Sequence, residues 1–301
     1  MSGRLPALVL FLVASGSALG AATTAPVTQP ASAPSFLVGT IDHPPIGESS
    51  GIVASRRHQG VFWTHNDSGD SARLYACNRK GESLGTFLIS GAEARDWEDI
   101  ASFKRGRNAY LLIGDIGDNA QKRRECELYL VQEPVLRGPV KGPASLKAIM
   151  KIRFQYEDGP HNCESLGVDA VDGVIYLVSK TAEPTCKVYA LPLPGESPRN
   201  VVFTAKAVAT LNIPTTTAMD ISPDGLRAVV LTYGDAYEYT RGVKEKWGDA
   251  FSREPRRLAM PARAQGESIC YGPDGRSLYL TSEKLPCPLL EVPALPAKSV
   301  P

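Results

Sequence analysis

The chain has 301 residues, 33 basic against 32 acidic side chains, and 43% hydrophobic residues. That apolar share is enough for a substantial core, and the near-zero net charge gives no support for nucleic-acid binding, which needs a clustered basic face. Beyond the first twenty residues no stretch is long and apolar enough to cross a bilayer.

In chain order, residues 1–20 read as a signal peptide: Arg4, an apolar run from Leu5 to Ala14, then small residues from Ala18 to Gly20 suited to cleavage. A retained anchor is the alternative, but a run of about ten residues is short for a membrane span. Residues 21–34 form a small-residue, Pro-rich tether with nothing to pack, so disorder is expected there. Residues 35–301 read as one domain, and the leader implies a secreted or periplasmic location. All six cysteines (Cys77, Cys126, Cys163, Cys186, Cys270 and Cys287) lie beyond the leader. An even number on an exported chain favours disulfides.

Five times the domain runs from a polar turn into a short strand: at Glu48-Ser-Ser-Gly-Ile, Glu98-Asp-Ile-Ala, Glu164-Ser-Leu-Gly-Val, Thr217-Ala-Met-Asp-Ile and Glu267-Ser-Ile-Cys-Tyr, with steps of 50, 66, 53 and 50 residues. Self-similarity at such a period signals an array of supersecondary units. In the last unit Ser268–Tyr271 is a first strand, Gly272-Pro-Asp-Gly275 a tight turn and Ser277–Thr281 a second strand. The third and fourth units repeat this around Val171-Asp-Gly173 and Ser222-Pro-Asp-Gly225. From the leading position to the second strand the first unit is two residues longer than the other four, through Arg56-Arg-His-Gln-Gly60, and the second unit holds a loop at Pro134–Ser145. Third strands are expected at Arg73–Asn78, Glu127–Val131, Lys187–Leu191, Tyr237–Thr240 and Leu289–Val292. Fourth strands are expected at Leu84–Ser90, Leu146–Tyr156, Val201–Ile213 and Arg256–Pro261. No helical period is convincing.

Four short antiparallel strands per unit make the blade of an all-β β-propeller. The fifth unit has only three strands, and Phe36–Ile41 upstream supplies the fourth. The chain therefore reads as a five-bladed β-propeller closed by an N-terminal strand, which removes free edges. Six blades would need a further unit that the sequence does not supply. One chain closes the ring, so a monomer is expected.

A radial repeat brings equivalent positions into one ring, so Glu48, Glu98, Glu164 and Glu267 are expected at one channel rim, with Thr217 as the fifth member. Four carboxylates in a narrow mouth need raised pKa values or a cation. Oxygen-only ligands suit Ca²⁺ better than zinc or copper. The plainer reading is that these side chains cap strand ends and staple neighbouring blades. The same rim receives Trp63-Thr-His-Asn-Asp-Ser68, Gly114-Asp-Ile-Gly-Asp-Asn119, Ser179-Lys180, Thr232-Tyr-Gly-Asp235 and Ser282-Glu-Lys284. Asn66, Asp67, Asp115, Lys180, Tyr233 and Glu283 are candidate ligand-binding residues. His65 and His161, each followed by Asn, join Glu98 and Glu164 as acid–base candidates, although a loop His is more often solvated or bonded to backbone. Trp97 and Tyr233 offer surfaces for stacking, whereas Trp63 fits the core. No nucleophile elbow, phosphate loop, zinc-protease motif or dinucleotide fingerprint is present.

At Glu48-Ser-Ser-Gly-Ile, Trp63-Thr-His-Asn-Asp-Ser68 and Asp96-Trp-Glu-Asp-Ile-Ala101 the chain resembles exported bacterial propellers of the SdiA-regulated and esterase-like phytase type. Gln265-Gly-Glu267 and Thr281-Ser-Glu283 are similar too, so the resemblance spans roughly residues 45–285 through short motifs. It implies a secreted propeller with a Ca²⁺ site and no particular activity. The rim has few basic residues to hold a polyanion, Lys180 and Lys284 being the main ones.

The expected function is binding of Ca²⁺, with a small polar ligand, at an acidic channel mouth. The alternatives are a hydrolase of phosphoesters, esters or glycosides, using Ca²⁺ or a carboxylate pair, and a scaffold whose glutamates are structural and whose rim binds a protein. Where the turn between second and third strands returns to the rim, Cys163–Cys186 and Cys270–Cys287 are the expected disulfides. A Cys126–Cys163 bridge beside a free Cys77 is the alternative.

Overall fold

The structure, a computed structural model, describes residues 36–294; the expected leader and tether lie outside them. The described residues form twenty strands and one short helix in chain order. The strands fall into five antiparallel groups of four. The first holds β2 (Ser49–Ala54), β3 (Val61–Asn66), β4 (Arg73–Asn78) and β5 (Ser83–Ser90). The second is β6 (Trp97–Arg105), β7 (Asn108–Asp115), β8 (Cys126–Gln132) and β9 (Pro143–Tyr156). The third is β10 (Cys163–Asp169), β11 (Val174–Ser179), β12 (Cys186–Pro192) and β13 (Val202–Leu211). The fourth is β14 (Thr216–Ile221), β15 (Arg227–Thr232), β16 (Ala236–Thr240) and β17 (Arg256–Leu258). In the fifth, β18 (Ser268–Tyr271), β19 (Ser277–Thr281) and β20 (Cys287–Pro293) are completed by β1 (Phe36–Ile41), paired antiparallel to β20 with Ile41 opposite Cys287.

The first strands form a closed cycle: β2 packs on β6, β6 on β10, β10 on β14, β14 on β18 and β18 on β2. This is a β-propeller, as the repeat predicts. All residues of β2, β10, β14 and β18 are buried, because each lies between neighbouring inner strands, whereas the outer β9 alternates between exposed and covered positions. The turns behind the inner strands use Gly173, Gly225 and Gly275 at positive φ (66°, 71° and 65°), where a side chain would be strained. The core lies in layers between adjacent blades. Trp63, Ile100, Leu111 and Leu289 fill one, and Met219, Val230, Tyr239 and Trp247 another.

Three features depart from expectation. The short helix α1 (Trp247–Phe251) buries Trp247 and Phe251 against the third and fourth blades. Strand β9 starts at Pro143, inside the expected loop, and also runs parallel to β5 (Thr86 opposite Pro143) and to β13 (Phe203 opposite Phe154). Twelve strands thereby join into one sheet.

The expected disulfides are the third departure. All six cysteines are free and buried. Cys163 lies on β10 and Cys186 on β12, with β11 between them; Cys270 and Cys287 are likewise separated by β19. Two strand spacings are roughly 9.5 Å, beyond the ~4.4–6.8 Å between Cα atoms that a disulfide spans.

Candidate functional site at the acidic mouth

A β-bulge near the start of the inner strands sets the geometry of the mouth. Pairing skips a residue between Ser49 and Gly51, Trp97 and Asp99, Cys163 and Ser165, and Thr216 and Ala218. The bulged residues Ser50, Glu98, Glu164 and Thr217 are therefore equivalent. Glu267 is the fifth, because the Glu283 amide donates to the Gln265 carbonyl as the Lys180 amide does to Asn162. Glu48 is not a ring member. Its carbonyl accepts from the Asp67 amide, one pleat earlier, and its side chain is exposed. Spacing alone put Glu48 in the ring; the bulge gives the place to Ser50.

The two hydroxyl members do the stapling. Ser50 Oγ donates to the Glu98 carbonyl (2.7 Å) and Thr217 Oγ1 to the Gly266 carbonyl (2.9 Å), each tying one blade to the next. The three glutamates are each 5% exposed and are held otherwise. Glu164 is ion-paired to Lys180, whose ammonium also meets the Tyr233 hydroxyl (2.7 Å) and lies over the Tyr233 ring. Glu267 accepts from Gln265 Nε2 (2.9 Å). The Glu98 carboxyl accepts no hydrogen bond among the described residues.

Electrostatics follow from this crowding. Burial lifts Glu98 well above the usual carboxylate range, with Glu164, Asp67 and Asp96 adding and Lys180 opposing. Burial also pushes Glu164 up to about 7, against the pull of Lys180, and Glu283 up to about 7, where Glu267 and Asp67 add. Glu267 and Asp96 are raised by burial as well. Burial works against the Lys180 ammonium, but Glu164, Tyr233 and Glu267 together raise it. With Lys180 against Glu164, the negative charge of the Glu98–Glu164 pair belongs on Glu164 and the proton on Glu98.

Asp67, Asp96 and Glu98 each bring an oxygen within 4.8 Å of the other two. A shared cation at ~2.3–2.6 Å from each oxygen fits that spread, and oxygen-only donors suit a hard cation such as Ca²⁺. Asp67 follows β3 of the first blade, while Asp96 and Glu98 open the second, so the cluster spans two blades. The Asp96 carbonyl is fixed by the Ile116 and Gly117 amides (3.2 Å each). At Gly117 a Cβ would collide with both the Glu98 and Asp96 carboxylates, so a larger residue there would have to displace them.

The other expected site residues divide. Lys180, Tyr233 and Glu283 lie among the ring glutamates, and Asp67 belongs to the carboxylate cluster. Asn66 is a turn anchor, donating to the Pro45 carbonyl and Asp70 (2.7 Å each). Asp115 is fully buried and paired to Arg123 at 2.7 Å, so it offers nothing to a ligand. His65 is also fully buried, packed edge-on to Trp97 with Nε2 against Gly51, and burial lowers its pKa. His161 instead joins Asp158 (2.8 Å) and the Tyr189 hydroxyl (2.7 Å) on the third blade. Among the described residues neither histidine has a hydrogen bond or ion pair to a ring glutamate. Trp97 is buried, its Nε1 donating to the Glu93 carbonyl (2.9 Å), and is not a stacking surface. Asp96 was not among the expected ligands, although its place two residues before Glu98, in the turn just ahead of β6, pointed to it.

No protein-family model matches the chain, and no curated protein matches it. Among solved structures it is similar to the crystal structure of RRP9 WD40 repeats, with a TM-score of 0.45 and 8% identity over 84% of this chain and 96% of that one.

Proposed function

We propose that this chain is an exported, five-bladed propeller, of the type that the SdiA-regulated and esterase-like phytase resemblance implies, whose acidic mouth binds Ca²⁺. The observation that carries the reading is the cluster of Asp67, Asp96 and Glu98, with the Glu98 carboxyl buried and, among the described residues, without a hydrogen bond. A buried carboxyl without a partner is costly unless protonated or bound to a cation. Glu164, Glu267, Glu283 and the Lys180–Tyr233 pair border the cluster and would contact a small polar ligand placed over the ion. Calorimetry tests the reading: Ca²⁺ binds wild type saturably, releases protons near pH 7 and binds at least tenfold more weakly to Asp67→Asn and Glu98→Gln. Equal affinity in both variants would remove the cluster as the site.

A second reading is favoured by the split between Glu98 and Glu164, one protonated and one ionised. That is the arrangement of an acid–base pair in a hydrolase. Hydrolysis of a glycoside, ester or phosphoester that survives chelation and is lost in both Glu98→Gln and Glu164→Gln would support it.

A further inference from the structure

The opposite end of the inner strands carries a separate cavity of about 270 Å³. Its walls are mostly apolar, with Phe103 from β6, Val168 from β10, Ile221 from β14 and Pro273 beyond β18, beside Ser102 and Ser222. One arginine lines it: Arg56, from the five-residue stretch 56–60 that lengthens the first hairpin of the first blade. The Arg56 side chain is 7% exposed. Its Nε donates to the Ser102 carbonyl at 3.1 Å, which fixes the group at the channel floor. Nη2 is ion-paired to the Asp220 carboxyl at 3.8 Å, too long for a hydrogen bond, and Nη1 is buried with no hydrogen-bond partner among the described residues. Asp220 is occupied elsewhere, accepting from the Tyr271 amide (2.8 Å) and the Ile221 amide (2.8 Å). Lys104, at the edge of the cavity, has no ion pair among the described residues.

A buried guanidinium is retained at such a position when its donors are used, because leaving them unmet carries a desolvation penalty. The planar fork of Arg matches a carboxylate in a two-point pair. The walls suit an apolar body, and the volume suits a small molecule rather than a chain segment. A dianionic phosphate is the poorer fit, since it would meet one guanidinium beside the Asp220 carboxyl on apolar walls.

We propose that this lower mouth is a binding site for a small monocarboxylate with an aromatic or branched apolar body, its carboxylate paired to Arg56. The site is independent of the acidic mouth and of any ion held there.

Phenylacetate, benzoate and isovalerate are the probes, with benzyl alcohol and inorganic phosphate as controls, titrated into the full chain by calorimetry and followed by melting temperature. At least one acid binds saturably and raises the melting temperature, while benzyl alcohol and phosphate bind tenfold more weakly or not at all. Arg56→Gln weakens that acid at least tenfold. Ala170→Trp leaves Arg56 in place, fills the cavity from an exposed turn position and also abolishes binding; it decides the matter if Arg56→Gln fails to fold. The response of both variants to Ca²⁺ stays that of wild type, which separates this test from that of the acidic mouth. Failure of all three acids, preference for phosphate, equal binding of benzyl alcohol, or unchanged affinity in Ala170→Trp overturns the proposal.

Discussion

Glu283 and Glu164 titrate near pH 7 in the fold, whereas a free carboxyl titrates near ~4.3. Between those values the folded state binds more protons than the unfolded one. The stability from these groups is therefore complete below about pH 4 and lost as pH rises through about 7. In chelator the melting temperature should fall between pH 5 and 8, and Glu283→Gln should flatten that fall; a slope unchanged in the variant would contradict the assignment. Asp99 bears a different load. It is fully buried and accepts from the Ile100 amide (2.9 Å), the Leu166 amide of β10 (2.8 Å) and the Met219 amide of β14 (3.1 Å), so one carboxyl ties three blades across the channel. Asp99→Ala should cost at least ~3 kcal/mol in denaturant unfolding, since each orphaned amide costs about 1–3 kcal/mol. At this scale the sequence was partly legible. Glu98, Glu164 and Glu267 follow from the repeat, but the displacement of Glu48 by Ser50 depends on a one-residue bulge that spacing does not reveal. Asp99 was hidden because an acid in an inner strand looks like its neighbour Glu98, and only the pleat sends the two in different directions.

The closing strand is the element whose role is most exposed to test. Ile41 is fully buried in the layer between fifth and first blades, whereas Phe36 is 59% exposed at the far end of the same strand. Ile41→Ala should therefore destabilise by about 2–5 kcal/mol and Phe36→Ala by under ~0.5 kcal/mol, as read from urea midpoints. Similar losses in both would mean that β1 does not close the ring as described. That strand was legible because the fifth unit lacked a partner and Phe36–Ile41 was the one unassigned apolar segment. Strand β9 was only half legible. Its antiparallel pairing with β8 follows from order in the chain, but its parallel contacts with β5 and β13 join segments far apart in sequence, for which a local pattern carries no signal. Helix α1 was missed because five residues hold little more than one turn, too few to show a period.

For the whole molecule, the thiols give a direct test of the fold. Burial pushes Cys77, Cys126, Cys163 and Cys186 up to about 12, so the native protein offers almost no thiolate. An aromatic disulfide reagent should label none of the six in native buffer and all six in denaturant. Mass mapping that instead finds a Cys163–Cys186 or Cys270–Cys287 peptide would require a shift of the strands described. Even parity on an exported chain suggested bridges, but whether two cysteines meet depends on which strand lies between them, and that is set by the fold. The doubled pairing of β9 has a further consequence for how the ring comes apart. Three blades share one uninterrupted ladder, whereas the fourth ends in a three-residue strand, Arg256–Leu258, with no partner strand beyond it. Amide hydrogen exchange should therefore be uneven around the ring. The outer amides of β5 and β13 should persist almost as long as the innermost ones, while those of β17 and its neighbour β16 trade deuterium early, so that under pulling or mild denaturant the ring opens at its fourth blade.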